Sequence, residues 1–182
     1  QTGHDFSGYK PSTIYRRIAR RMAVQQIETI NGYVKYLQQT PSEIKSLFRD
    51  LLIGVTSFFR DPDAFQRLEA DVIPMLFTGK PDTTVIRVWS AGCSTGEEAY
   101  SLAILLQERM ETMQKIFTVQ VFATDIDPGA ITTARAGIYS ASSIVDITPA
   151  RLARFFVLEP GGLSYRIHKG IRDMLVFSEQ DL

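Results

Sequence analysis

The stretch "VWSAGCSTGEEAYSLAI", residues 88–104, constrains this chain most, because seventeen residues hold a strand, a glycine turn and an acidic helix start. Val85, Ile86, Val88 and Trp89 form a short β-branched and aromatic run that reads as a buried strand. Gly92 and Gly96 then allow a sharp turn and a close approach of backbone to ligand. Tyr100, Leu102, Ala103, Ile104 and Leu106 continue as a helix. Such a junction commonly holds a pyrophosphate at the helix N-terminus, but here that end carries Glu97 and Glu98. Two carboxylates repel a phosphate. They are favourable at a helix N-terminus, and they suit a ligand with a cationic head such as the ammonium and sulfonium of S-adenosylmethionine. The spacing Gly92-x-x-x-Gly96 departs from the three-glycine dinucleotide fingerprint, so NAD and FAD become minor options. Taken alone, the turn is explained equally well by a well-capped strand-to-helix junction without a ligand.

A second acidic site shifts that balance. "VQVFATDIDPGAI", residues 119–131, reads as a strand of alternating apolar residues ending in Asp125 and Asp127, with a helix starting near Pro128. A carboxylate at the C-terminal tip of the second strand is where such folds hold ribose hydroxyls, which suits Asp125. Asp127 reads instead as the cap of the following helix.

At 182 residues, 45% hydrophobic and 22% charged, the chain can bury a sizeable core as one large or two small domains. No apolar run approaches the ~18 residues of a membrane span, and no secretion signal opens the chain, so the cytoplasm is the expected compartment without membrane insertion. The only cysteine is Cys93, which excludes an internal disulfide, and His4 and His168 are too far apart in sequence to suggest a metal set. With no histidine near it, Cys93 reads as a small residue filling a tight loop rather than as a nucleophile.

Zero net charge conceals an asymmetry: residues 1–60 carry nine Lys or Arg against four Asp or Glu, and residues 61–182 carry eleven against sixteen. The basic half should meet an acidic partner. Within "STIYRRIARRM", Ser12 is an N-cap candidate, and Arg16, Arg17, Arg20 and Arg21 fall within an arc of about 140° on a helix. Ile14, Ile18 and Met22 lie opposite. No acidic residue stands at i+3 or i+4 to neutralise the arginines, which favours a carboxylate- or phosphate-binding face over a solvated one.

Helical periodicity recurs over 14–24, 27–38, 43–53 and 64–77, with breaks at Asn31-Gly32, Pro41, Gly54 and Pro62. "TGKPD", residues 78–82, is the clearest linker, so residues 1–80 form an all-helical domain. Residues 83–182 alternate strands and helices around a parallel sheet. Residues 155–177 break the alternation, with two extended runs around Pro160-Gly161-Gly162 that predict an antiparallel hairpin added to the sheet.

"TSFFRD" (56–61), "WSAGCSTGEEAYS", "FATDID" and "ARAGIY" (134–139) occur in this order, and together they resemble the chemotaxis receptor methyltransferase (CheR) family over essentially the whole chain. The resemblance implies an α/β fold: an N-terminal helical receptor-recognition domain, then a Rossmann-like class I methyltransferase domain with a small β-hairpin subdomain. It implies methyl transfer from S-adenosylmethionine to glutamate side chains on the cytoplasmic helices of chemoreceptors, leaving S-adenosylhomocysteine. By the same resemblance Thr56 and Arg60 contact the methionine end of the cofactor, Arg60 being the catalytic candidate. Glu97 takes the amino group, Asp125 the ribose, and Gly92 belongs to the cofactor turn. Arg16, Arg17, Arg20 and Arg21 become the receptor-binding face. The opening "TGHDFSGYKPSTIYRRIARRM" is most similar to versions that follow a methylesterase domain in one polypeptide, which makes a fused methylesterase a candidate partner, and the missing initial methionine fits an excised piece.

Departures from the family pattern set further expectations. Gly54 stands where a polar residue is common, and Cys93 replaces a commoner alanine. The chain stops at Asp181-Leu182, which match the loop beside the adenine, so the methyltransferase domain is expected to be incomplete at its C-terminus and a weak catalyst alone. Between Phe156 and Leu163 the hairpin turn is about three residues shorter than in relatives tethered by a receptor's C-terminal pentapeptide, so no such tether is expected. Two other classes stay open. One is a non-catalytic module that binds S-adenosylmethionine or docks on receptors. The other, a nucleic-acid methyltransferase, ranks below, since no Asn/Asp-Pro-Pro-Tyr/Phe motif occurs and only Tyr15 is interleaved with the arginines.

Overall fold

The computed structural model describes residues 6, 9–52, 54 and 56–181, in two compact units, Gln1–Ile53 and Gly54–Leu182. The first unit holds helices α1 (Pro11–Val24), α2 (Ile30–Gln39) and α3 (Pro41–Leu51). Prolines open rather than break two of them: Pro11 and Pro41 sit in the first turns of α1 and α3, where a missing N–H costs nothing. Lys10, not the expected Ser12, is therefore the N-cap of α1. Asn31-Gly32 is likewise no break. Thr29 caps α2 by accepting from the Gly32 N–H at 3.2 Å, which leaves that pair inside the first turn.

The second unit opens with α4 (Pro62–Arg67), which continues through a π-helical turn, Leu68–Val72, into α5 (Ile73–Phe77). The boundary between units thus lies near residue 54 and not at the 78–82 linker. The reason is packing: Phe58, Phe59, Phe65, Ile73 and Phe77 are buried in the same core as Ile104, Leu106 and Val121. Then follow β1 (Val85–Ala91), α6 (Glu97–Met113), β2 (Thr118–Asp125), α7 (Pro128–Ala136) and β3 (Ile138–Ser140). The chain ends with α8 (Pro149–Phe155), β4 (Phe156–Leu158), β5 (Ser164–Ile167), α9 (Lys169–Arg172) and β6 (Leu175–Glu179).

Strands β1, β2 and β6 form a parallel sheet in the order β1-β2-β6, and β3, β5 and β4 form a separate antiparallel sheet in the order β3-β5-β4. The expected hairpin exists as β4 and β5, but it is not added to the parallel sheet. Its partner is β3, and Leu175–Glu179 joins β2 instead. Periodicity marks Leu175, Val176 and Phe177 as a strand and carries no information on which sheet it enters.

Helices α6 and α7 pack on one face of the parallel sheet, over Ile86, Val121, Ala123 and Phe177. On the other face Trp89, Phe122 and Val176 stand side by side in register and are 57%, 36% and 50% exposed. Parallel sheets are ordinarily covered on both faces, and here this apolar row is left partly open.

Candidate functional site

All three parallel strands end at the same edge, and that edge gathers the acidic and glycine residues of the sequence motifs. After Ala91 the chain turns through Gly92 (φ 67°), Ser94 (φ 49°) and Gly96 (φ 97°), all in the left-handed region. The two glycines serve different ends. A Cβ on Gly96 would lie 2.9 Å from the Ala134 Cβ and 3.2 Å from the Tyr139 hydroxyl, so Gly96 is required by the packing of α6 on α7 and β3. At Gly92 a Cβ would meet nothing within 4 Å, so glycine is favoured there by its positive φ alone.

Asp125 ties β2 to this turn. One carboxylate oxygen accepts from the Ser94 N–H at 2.6 Å and the other from the Asp127 N–H at 2.9 Å. Each oxygen retains acceptor capacity for a hydroxyl. Asp127 caps α7, accepting from the Gly129 N–H at 2.8 Å. Glu97 is buried in the first turn of α6, where its carboxylate accepts from the Thr95 hydroxyl at 2.6 Å, and exposed Glu98 accepts from the Ser90 hydroxyl at 2.8 Å. Beyond β6 the Gln180 N–H donates to the Asp125 carbonyl oxygen at 2.9 Å, which carries the chain toward Asp181 at the same edge. Leu182 lies outside the described residues.

Gly54, just before "TSFFRD", lies beside the same turn, and the Phe59 N–H of that loop donates to Ser101 in α6. A Cβ on Gly54 would stand 3.3 Å from the Ser94 hydroxyl oxygen. Thr56 is half-buried and Arg60 is exposed. Cys93 is buried inside the turn, and burial, with Asp125 adding to it, pushes its thiol up to about 12, so it is no thiolate near neutral pH. Among the described residues no group of His, Cys, Asp and Glu is arranged to hold a metal ion, and no helix is long and apolar enough to cross a membrane.

A buried carboxylate at a helix start, a second at a strand tip and a glycine turn between them thus meet at one edge of the sheet. Three participants escape sequence reasoning. Thr95, Tyr139 and Ser101 fix the turn and α6 through hydrogen bonds: the Tyr139 hydroxyl donates to the Thr95 carbonyl oxygen at 2.6 Å, and Ser101 to that of Glu97 at 2.7 Å. Only the i, i+4 spacing of Glu97 and Ser101 hints at any of this.

The arginine face is corrected by the structure. Arg21 forms a two-point pair with buried Glu43, Nε to Oε1 at 2.9 Å and Nη2 to Oε2 at 2.5 Å. Glu43 also accepts from Tyr33 at 2.8 Å and Gln25 at 2.9 Å. Arg17 donates to the Asp50 carbonyl oxygen. The neutralising groups come from α3, beyond the reach of an i+3 or i+4 test within α1. Of the four arginines only Arg16 and Arg20 are exposed, beside exposed Tyr15.

Residues 54–182 match the family model of the CheR methyltransferase, SAM binding domain, and residues 1–52 that of the CheR methyltransferase, all-alpha domain. The chain is 42% identical over 178 residues to an uncharacterized 104.1 kDa protein of Rhodobacter capsulatus, covering 98% of this chain and 18% of that protein. Chemotaxis protein methyltransferase 2 of Pseudomonas aeruginosa is 30% identical, and that of Vibrio cholerae 29%, each over the whole of this chain and 63% of its own length. The chain therefore spans less than two thirds of these relatives.

Proposed function

Because the chain belongs to the CheR methyltransferase family, with an S-adenosylmethionine-binding domain over residues 54–182, we propose that it serves the methylation of chemoreceptor glutamates in chemotactic adaptation. The observation that carries this reading is the hydrogen bond between Asp125 and the Ser94 N–H, which closes the strand tip onto the glycine turn beside Glu97. Bound S-adenosylmethionine supplies an electrophilic methyl group and a neutral thioether leaving group. The chain's residues have to hold it and align it. Asp125 accepts from the ribose hydroxyls, Glu97 pairs with the ammonium, and Arg60 pairs with the carboxylate, with Thr56 beside it. Gly92 lets the backbone approach, and Asp181 borders the adenine. No general base is required, since an ionised glutamate is already a nucleophile; in-line positioning and exclusion of water carry the rate.

The proposed receptor face is the outer side of α1, reduced to Arg16 and Arg20. Acidic receptor helices in the cytoplasm complement it. A fused methylesterase rests on the resemblance of the opening segment alone; the Rhodobacter relative, in which the match to this chain occupies 18% of an uncharacterized 104.1 kDa protein, says nothing of what the remainder is. The hairpin turn, Glu159 to Ser164, is closed by a Glu159 N–H to Ser164 carbonyl bond at 2.9 Å, with Gly161 at φ 102° and Gly162 at φ 72°. That compact turn favours receptor capture through α1 rather than through a peptide strand added to β4.

Reversing Arg16 and Arg20 to glutamate is expected to lower receptor methylation at least about tenfold, leave cofactor affinity intact, and flatten the wild-type fall in rate with added salt. A labelled receptor C-terminal pentapeptide is expected to give no low-micromolar anisotropy change. Unaltered methylation by the double variant, or tight peptide binding, contradicts this assignment.

A further inference from the structure

Arg60 sits between two residues in a conformation that L-amino acids avoid: Phe59 has φ 50° and Asp61 φ 57°. Such backbone persists only where its surroundings hold it. Phe58 is fully buried, with its ring edge-on to Tyr139 at 4.9 Å and to Phe156 at 5.5 Å. The Phe59 ring is packed on Phe65 at 5.5 Å and covered by the Arg151 guanidinium at 4.5 Å, which Glu108 and Glu69 hold at 2.8 and 3.1 Å. The Phe59 N–H donates to the Ser101 hydroxyl oxygen at 3.0 Å.

That last contact leads to the other end of the site. Ser101 is completely buried in α6, and its hydroxyl proton goes to the Glu97 carbonyl oxygen at 2.7 Å. A single hydroxyl thus joins the residue preceding Arg60 to the backbone of Glu97, 42 positions apart in sequence between Phe59 and Ser101. A second path runs in parallel. The Phe58 ring rests on Tyr139, whose hydroxyl donates to the Thr95 carbonyl oxygen, and the Thr95 hydroxyl donates to the Glu97 carboxylate, both at 2.6 Å. The helix alone gains nothing from a serine at this position, since alanine is the better helix former.

We infer that Ser101 is a positioning residue that sets Arg60 relative to Glu97, so that guanidinium and carboxylate together receive the zwitterionic amino-acid end of the cofactor. This rests on the proposed roles of Arg60 and Glu97.

The test is calorimetry on the full chain with S-adenosylmethionine and with its decarboxylated analogue, which keeps the ammonium and sulfonium but lacks the carboxylate that Arg60 would meet. Wild type should prefer S-adenosylmethionine. Ser101→Ala is expected to weaken S-adenosylmethionine about tenfold and the analogue less than twofold, because the Phe59 N–H loses its acceptor beside Arg60 while the Glu97 backbone stays held within α6. Equal losses for the two nucleosides, or no loss for either, overturn the inference while leaving the site intact. If wild type binds both equally, the role of Arg60 falls first and the inference with it. Should Ser101→Ala fail to fold, Arg151→Gln, which uncovers the Phe59 ring from the surface side, must show the same selective loss; an equal loss there also overturns the inference.

Discussion

Asp125→Ala is expected to weaken S-adenosylmethionine binding by roughly 3 kcal/mol or more, about two orders of magnitude, and to abolish measurable methylation. The effect exceeds that of one lost hydroxyl contact, because this carboxylate also receives the Ser94 and Asp127 N–H groups. Without it both donors lose their partner and the turn loses its tie to β2. Asp125→Asn, which keeps one carbonyl oxygen, should fall between wild type and alanine. Glu97→Gln should cost about 1.5 to 3 kcal/mol, the range for a hydrogen bond to a charged group, through the weaker hold on the ammonium. Titration calorimetry measures both. An alanine variant with wild-type affinity means that the pocket lies elsewhere.

Glu43→Ala should destabilise the helical unit by about 3 to 5 kcal/mol, since it leaves the Arg21 guanidinium without its partner at a mostly buried position. For a unit this small that lowers its unfolding midpoint by roughly 12 °C or more. Arg21→Glu should be at least as severe, with two carboxylates face to face, so loss of receptor methylation in that variant reports unfolding and not recognition. The hydrogen bonds from Arg21, reinforced by Tyr33 and Gln25 and opposed by burial, hold the Glu43 carboxyl below its ordinary value of 4.5. A depressed folded-state value stabilises above the unfolded one, so this contribution is complete at neutral pH and drains away as pH falls below about 4.5 through the depressed value. Thermal melts across pH 3 to 7 check the sign. A Glu43→Ala melt within a degree or two of wild type contradicts the assignment of this pair to the core.

The elements of the site were legible because each carries a local signature. The β-branched run before Gly92, the paired glutamates after Gly96 and the Asp125 strand tip each follow from steric or electrostatic preferences within a few residues. What the sequence hides is long-range partnership. Arg21 and Arg17 look unneutralised on α1, yet Glu43 and the Asp50 carbonyl meet them from α3. Leu175–Glu179 looks like the far arm of a hairpin, yet it pairs in parallel with β2. The 78–82 loop looks like a domain boundary, because glycine and proline punctuate a chain whether or not it changes domain there. The real division near residue 54 depends on where Phe58 and Phe77 pack. Proline misleads in the other direction, since Pro41 begins a helix that its presence suggested had ended.

The most direct test of the whole account is a transfer assay with methyl-labelled S-adenosylmethionine, offering the full chain receptor-containing membranes and nucleic acid side by side. The account predicts label on the receptor alone, on glutamate side chains, released as volatile methanol by mild base as a carboxylate ester requires, and lost in Asp125→Ala. Cofactor binding without transfer to the receptor, or base-stable label on nucleic acid, would contradict it.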